Sequence, residues 1–157
     1  MRIVGLHSAL ALCLAALLVS ACGSKPPPKP ASVTGTIEAA AQINPSTSKR
    51  PSPLLVRIYE LRSVAAFNSA DFMSLYQRDQ AELAADLVTK EEFVMSPGET
   101  KTFAKTLAPD TRFLGVVAAY RDLEHAKWRS SVAIQPSQPH KVMVRAGELA
   151  VEATIVK

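Results

Sequence analysis

Carboxylates beside an imidazole can ligate zinc or pass protons, and the sequence gathers these groups at one place. The stretch RDLEHAKWR, residues 121–129, holds Asp122, Glu124 and His125 among Arg121, Lys127 and Arg129. A solvated turn between two strands has the same composition, and that reading is preferred over a catalytic or metal cluster. Elsewhere the chain has no His-Glu-x-x-His, no Cys-x-x-Cys, no Gly-x-Ser-x-Gly and no glycine-rich phosphate loop. No catalytic residue and no metal site is therefore assigned, and a non-enzymatic role is expected. Trp128 is read as a core or rim anchor rather than a ligand platform. Phe67, Phe72 and Tyr76 are read as core packing beneath a helix rather than as a cofactor pocket.

The second residue with chemistry of its own is Cys22. Ahead of it stand Met1 and Arg2, an apolar run over residues 10–19, and the small Ser20 and Ala21. That is the three-part layout of a secretory signal. The run is shorter than the roughly 20 residues that cross a hydrocarbon core, and no second run follows, so no lasting transmembrane helix is expected. Val19-Ser20-Ala21-Cys22 resembles the bacterial lipobox, with valine where leucine is usual; cleavage there leaves the cysteine first, its thiol alkylated by diacylglycerol and its amino group acylated. An unmodified secreted chain with one stray thiol is the alternative. More than one acyl chain makes attachment to a bilayer stable. The covalent lipid on Cys22 is the only non-protein group expected, and no cofactor is.

Loss of residues 1–21 leaves 136 residues with 17 basic and 14 acidic side chains. So mild a balance, without a basic block or interleaved aromatics, selects no nucleic acid as partner. Cys13 leaves with the signal and Cys22 is blocked, so the mature domain has no cysteine pair to oxidise and must hold by packing alone. Residues 22–32 follow as the lipidated cysteine and a linker, in which four prolines and two lysines favour extended polyproline geometry. About ten such residues would hold a domain roughly 30 Å off a bilayer.

Residues 33–157 read as one domain of short strands with a helical insertion around residues 63–88. Val33, Ile37, Ala39, Ala41 and Ile43 alternate with polar residues, which predicts a half-buried strand over residues 32–44. A second strand spans residues 54–62. Ser63 and Ser69 are read as helix caps, Asp71 falls in a first turn, and Leu83 and Leu87 continue the helical spacing. Two runs around Pro97-Gly98 predict a hairpin. Residues 112–121 are apolar on both faces, as a central strand covered on both sides must be, and the helices are the obvious cover. Three further strands, in KWRSSVAI, HKVMVRA and LAVEATIV, complete an antiparallel β-sandwich.

Between the first two strands lies NPSTSKRPSP, that is Asn44, Pro45, Ser46, Thr47, Ser48, Lys49, Arg50, Pro51, Ser52 and Pro53. Ten residues are long for a turn, and this composition continues neither a strand nor a helix, so an exposed loop is expected. Its prolines limit the entropy lost on docking, and Lys49 and Arg50 offer paired positive charge to an acidic surface. A flexible linker of drifted length is the alternative.

The lipobox cysteine, the Pro-rich stalk, the Asn-Pro loop leading into RPSPLLVRIYEL, Phe67-x-x-x-Asp71-Phe72-x-x-Leu75-Tyr76, the SPGE turn and FLGVVAAYRDLEHAKWR stand in a specific order. Together they resemble the outer-membrane lipoprotein family of the bacterial type VI secretion system, TssJ or SciN, over the whole mature domain. The resemblance implies an all-β, transthyretin-like antiparallel β-sandwich with a small helical elaboration. It also implies outer-membrane anchoring on the periplasmic face and a place in the type VI membrane complex. The partner implied is the periplasmic C-terminal domain of TssM, with residues 44–53 as the contact loop. Transthyretin-like sandwiches also include hydroxyisourate hydrolases, but their Tyr-Arg-Gly-Ser ending is replaced by ATIVK. A periplasmic ligand-binding lipoprotein would need exposed aromatics in a groove, and too few aromatic residues are spare. Gly23, where aspartate commonly signals inner-membrane retention, agrees with the outer membrane. If the lipobox reading holds, labelled palmitate will enter the protein, and Cys22→Ser will abolish both labelling and membrane fractionation while the domain stays folded; equal labelling of the variant would refute it.

Overall fold

A computed structural model describes residues 30–156. The predicted signal, Cys22 and most of the linker lie outside the described residues, as does Lys157. One sheet places β1 (Ser32–Ala39) between β4 (Thr100–Thr106) and β7 (Pro139–Ala146), with β8 (Val151–Val156) beyond β7. The other places β2 (Leu54–Leu61) between β3 (Leu87–Met95) and β5 (Phe113–Ala118), with β6 (Arg129–Ala133) beyond β5. Alternation drives this layering: Val33, Ile37, Val56, Ile58, Leu114, Val116, Val142 and Val144 are all buried in one core between the sheets.

Three details of the sheets differ from the sequence expectation. β1 ends at Ala39, and Ala41 is exposed in a turn rather than facing the core. The sandwich is not wholly antiparallel, because β1 pairs in parallel with β7. Pro97-Gly98 does form a turn, with Gly98 at φ 74° and Glu99 N–H donating to Ser96 O at 3.0 Å, but no hairpin. Instead β3 pairs with β2 and β4 with β1, so this turn carries the chain from one sheet to the other. The two edge strands face each other across the sandwich, where the Phe93 and Phe103 rings lie 5.7 Å apart and Lys105 bridges Glu60 and Glu91 at 2.6 Å each. Alternation within a strand says which face is apolar, not which sheet the strand joins.

The helical insertion leaves β2 and returns to β3 as α1 (Ala65–Ser69), α2 (Phe72–Leu83) and a 3-10 turn (Ala84–Asp86). Asp71, not Ser69, caps α2: its Oδ1 accepts from Ser74 N–H at 2.9 Å, and its Oδ2 from the Ser74 hydroxyl at 2.8 Å. These bonds hold the Asp71 carboxyl below the usual carboxylate range. Ser63 Oγ accepts from Ala65 N–H. Leu87 belongs to β3, not to a helix. The helices bury the outer face of β5 in a second core of Tyr59, Leu61, Phe67, Leu75, Leu83 and Val117. Gly115 lets them close in, since a Cβ there would meet Leu61 and the Phe67 ring at 2.9 Å. The cover expected for this strand is therefore present. Tyr76, expected in the core, is 37% exposed instead, stacked on Phe72 with the Arg57 guanidinium 4.6 Å from its ring centre.

Polar contacts fasten the cover. Asp79, buried on the underside of α2, accepts from Tyr59 Oη at 3.2 Å and pairs with Lys90 Nζ at 2.5 Å. Burial pushes the Tyr59 phenol up to about 12, so it remains a donor. Arg57 donates to the Tyr76 carbonyl at 2.7 Å and pairs with Glu92 at 2.6 Å. Asp79→Ala leaves the Tyr59 hydroxyl only the long bond to Leu75 O at 3.5 Å and removes the Lys90 partner, and should lower stability by about 2 kcal/mol in urea unfolding, with β-sheet circular dichroism retained.

Candidate partner-binding site

The eight strands run alternately up and down in chain order, so the β1–β2, β3–β4, β5–β6 and β7–β8 connections gather at one pole. Residues 44–53 lie there. Their ends are tied together, Ser52 N–H donating to Ile43 O at 3.1 Å, and their tip is a closed turn: Lys49 N–H reaches Ser46 O at 2.9 Å and Ser46 N–H reaches Arg50 O at 2.8 Å. Ser46 Oγ accepts from Arg50 N–H at 3.2 Å and lies 3.0 Å from Ser48 Oγ. Thr47, Ser48, Lys49, Arg50, Pro51 and Pro53 are exposed, whereas Pro45 and Ser46 are half-buried and Asn44 and Ser52 buried. The expectation of an exposed loop thus holds at the tip and fails at the base.

Asn44 is the reason. Its Nδ2 donates to Pro53 O at 2.8 Å, its Oδ1 accepts from Arg121 N–H at 2.8 Å, and its own N–H donates to Glu148 O at 3.1 Å. One buried asparagine, through its side-chain amide and its own N–H, therefore braces the β1–β2, β5–β6 and β7–β8 connections. It does so at φ 48°, a left-handed backbone that asparagine tolerates better than most residues. Tyr120 adds a parallel tie, its hydroxyl donating to Gly147 O at 3.1 Å, and burial raises that phenol far above its usual range.

The three connections enclose a groove of about 620 Å³ lined by Pro45, Ser46, Thr47, Lys49, Arg121, Asp122 and Leu149. Sequence reasoning placed Arg121 and Asp122 in a separate charged turn, did not connect them with residues 44–53, and missed Leu149 altogether. Counting strand directions is the signal that could have joined them, because every second connection of an up-and-down sandwich falls at the same end. Of the imidazole and carboxylate cluster, only Asp122 and His125 meet, His125 Nδ1 lying 2.8 Å from Asp122 Oδ1. His125 also donates its backbone N–H to that oxygen. The bond from His125 is the main cause holding the Asp122 carboxyl below its usual range. Glu124 is not drawn into the pair, and among the described residues no three His, Cys, Asp or Glu side chains converge on a metal position. Trp128 sits half-buried at the rim of the helical cover, edge-on to Phe72 at 5.3 Å.

A model of the type VI secretion lipoprotein family, which includes VasD, EvfM and TssJ, matches residues 31–149. The chain belongs to this family. The type VI lipoprotein TssJ1 from Pseudomonas aeruginosa has 36% identity and a TM-score of 0.79 over 82% of this chain and 98% of its own. Serratia marcescens Lip, a membrane-bound component of the type VI secretion system, has 28% identity and a TM-score of 0.72 over 80% and 97%. A chain of a type VI membrane complex has 26% identity and a TM-score of 0.64 over 80% and 98%. No curated protein matches in the corresponding comparison. The TssJ sandwich with its small helical part is thus the fold of this chain, and its cross-braced loop pole is the feature to test. Asn44→Ala leaves Arg121 N–H and Pro53 O without partners and should cost about 2 to 3 kcal/mol. Amide exchange at Arg121 should accelerate more than at the β5 core, and equal protection in both proteins would show that Asn44 is not the brace.

Proposed function

We propose that this type VI secretion lipoprotein is a non-catalytic assembly component, anchored by lipid on Cys22 to the outer membrane and facing the periplasm. In this reading residues 1–21 are removed as a signal, residues 22–32 form the lipidated stalk, and the sandwich binds the periplasmic C-terminal domain of TssM through residues 44–53. The carrying observation is that the loop tip is held rigid while Lys49 and Arg50 stay exposed. Lys49 even occupies a left-handed conformation at φ 61°, where glycine would be less strained. A closed turn that presents a cation at such a position suits recognition better than spacing. Preorganisation of this kind lowers the ordering cost of association.

Replacing Lys49 and Arg50 together by glutamate should weaken the complex with purified TssM C-terminal domain by slowing association at low salt, as charge steering does. Shortening residues 44–53 to a tight turn should abolish binding in calorimetry without shifting the sandwich's thermal midpoint by more than a few degrees. Parent affinity in the shortened, folded protein would move the interface elsewhere.

A further inference from the structure

If residues 44–53 bind the partner, the opposite wall of the groove faces the same ligand. We propose that Arg121 and Leu149 form the second half of the recognition surface, and that the groove takes an acidic, extended segment of the partner with a carboxylate held between Lys49 and Arg121. This rests on the loop being the docking site.

Charge is the first argument. Both cations line the groove, yet neither side chain makes a hydrogen bond or an ion pair within 4.0 Å among the described residues. Several cations of the sandwich body are already used, Arg57 pairing with Glu92, Arg62 with Asp110, Lys90 with Asp79 and Lys105 with Glu60, whereas Lys127 and Lys141 are unpaired among the described residues but do not line the groove. The one carboxylate in the groove, Asp122, is engaged by the backbone N–H and the ring of His125 and feels Lys49 only at longer range. The groove therefore presents two uncommitted positive charges, and an anion is what they would hold.

Construction is the second. Arg121 N–H is bonded to Asn44, and Leu149 O accepts from Lys127 N–H at 2.9 Å, so both walls are fixed to the frame that fixes the loop. Pro45 and Leu149 add apolar surface beside the cations, which shields a bound carboxylate from water and strengthens the attraction. A volume of about 620 Å³ lies within the roughly 300 to 1,000 Å³ of small-molecule pockets, room for a few side chains of a bound segment.

The test uses the folded sandwich with purified TssM C-terminal domain, by calorimetry at about 50 and about 200 mM NaCl. Arg121→Ala should weaken binding about 3- to 10-fold at the lower salt and flatten the salt dependence; Arg121→Glu should weaken it further. Lys49→Ala combined with Arg121→Ala should lose less than the product of the single effects, because the two would share one carboxylate. Thermal midpoints equal to the parent's would certify that the variants are folded. If Arg121→Glu binds like the parent while the shortened loop does not, the second wall is not used, and this inference fails with the loop reading intact. If both bind like the parent, the loop reading itself has failed.

Discussion

β5 cannot meet water on either side, and the architecture follows from that constraint. Its inward residues Leu114 and Val116 fill the sandwich core, while Val117 and Gly115 face outward. A two-layer sandwich would leave that outward face wet, so a third layer is required, and the segment between β2 and β3 supplies it. Both ends of this insertion lie at the pole opposite the groove, where Arg62 N–H donates to Asp86 O at 2.9 Å. At the groove pole the cover still meets the start of β6, where Arg129 donates to Phe67 O and Ala70 O and Trp128 packs edge-on against Phe72. Its polar ties through Asp79 and Arg57 work within the outer face of the β3-β2-β5-β6 sheet rather than reaching the loops.

At the other pole the demands are reversed. Four connections converge there without a disulfide among the described residues, and backbone polar groups at their bases are removed from water. Asn44 answers several of those demands at once, satisfying Pro53 O and Arg121 N–H with its side chain and Glu148 O with its own N–H. An apolar residue could fill the volume but would leave the carbonyl and the amide unpaired. The rigidity of the exposed tip is thus borrowed from a buried polar brace. That separation lets Lys49 and Arg50 stay in solvent without the loop becoming mobile for that reason.

Much of this was legible in the sequence where local pattern decides. The eight strands, the two-sided burial of β5 and the helical cover all follow from alternation and helical spacing, which record which faces must be buried. What stayed hidden depends on contacts between distant segments. The parallel β1–β7 pairing and the sheet change at Pro97-Gly98 are choices of partner, and a strand's own residues do not name the strand beside it. Ser69 looked like a cap because serine caps helices, yet Asp71 stands nearer the first helical turn and its carboxylate accepts two bonds from Ser74. In the loop, composition revealed exposure at Lys49 and Arg50 but not the burial of Asn44. An asparagine before proline looks like a turn residue whether or not three connections converge on it.

The two poles also settle how the chain enters the domain relative to the groove. Ser32 begins β1 beside Thr106 and Pro139, and Ala39 ends it beside Ala146, so β1 traverses the sandwich between the poles. Eight residues at about 3.3 Å each span roughly 25 Å. Residues 30 and 31, the described residues ahead of Ser32, therefore lie at the end away from Asn44, and the groove opens at the far end. β1 joins the two ends directly and is flanked on both sides, antiparallel to β4 and parallel to β7, so a pull between its own two ends would load its ladder bonds together along their length rather than peel them one at a time. One of the two inner positions of this sheet thus lies on the line between the two ends.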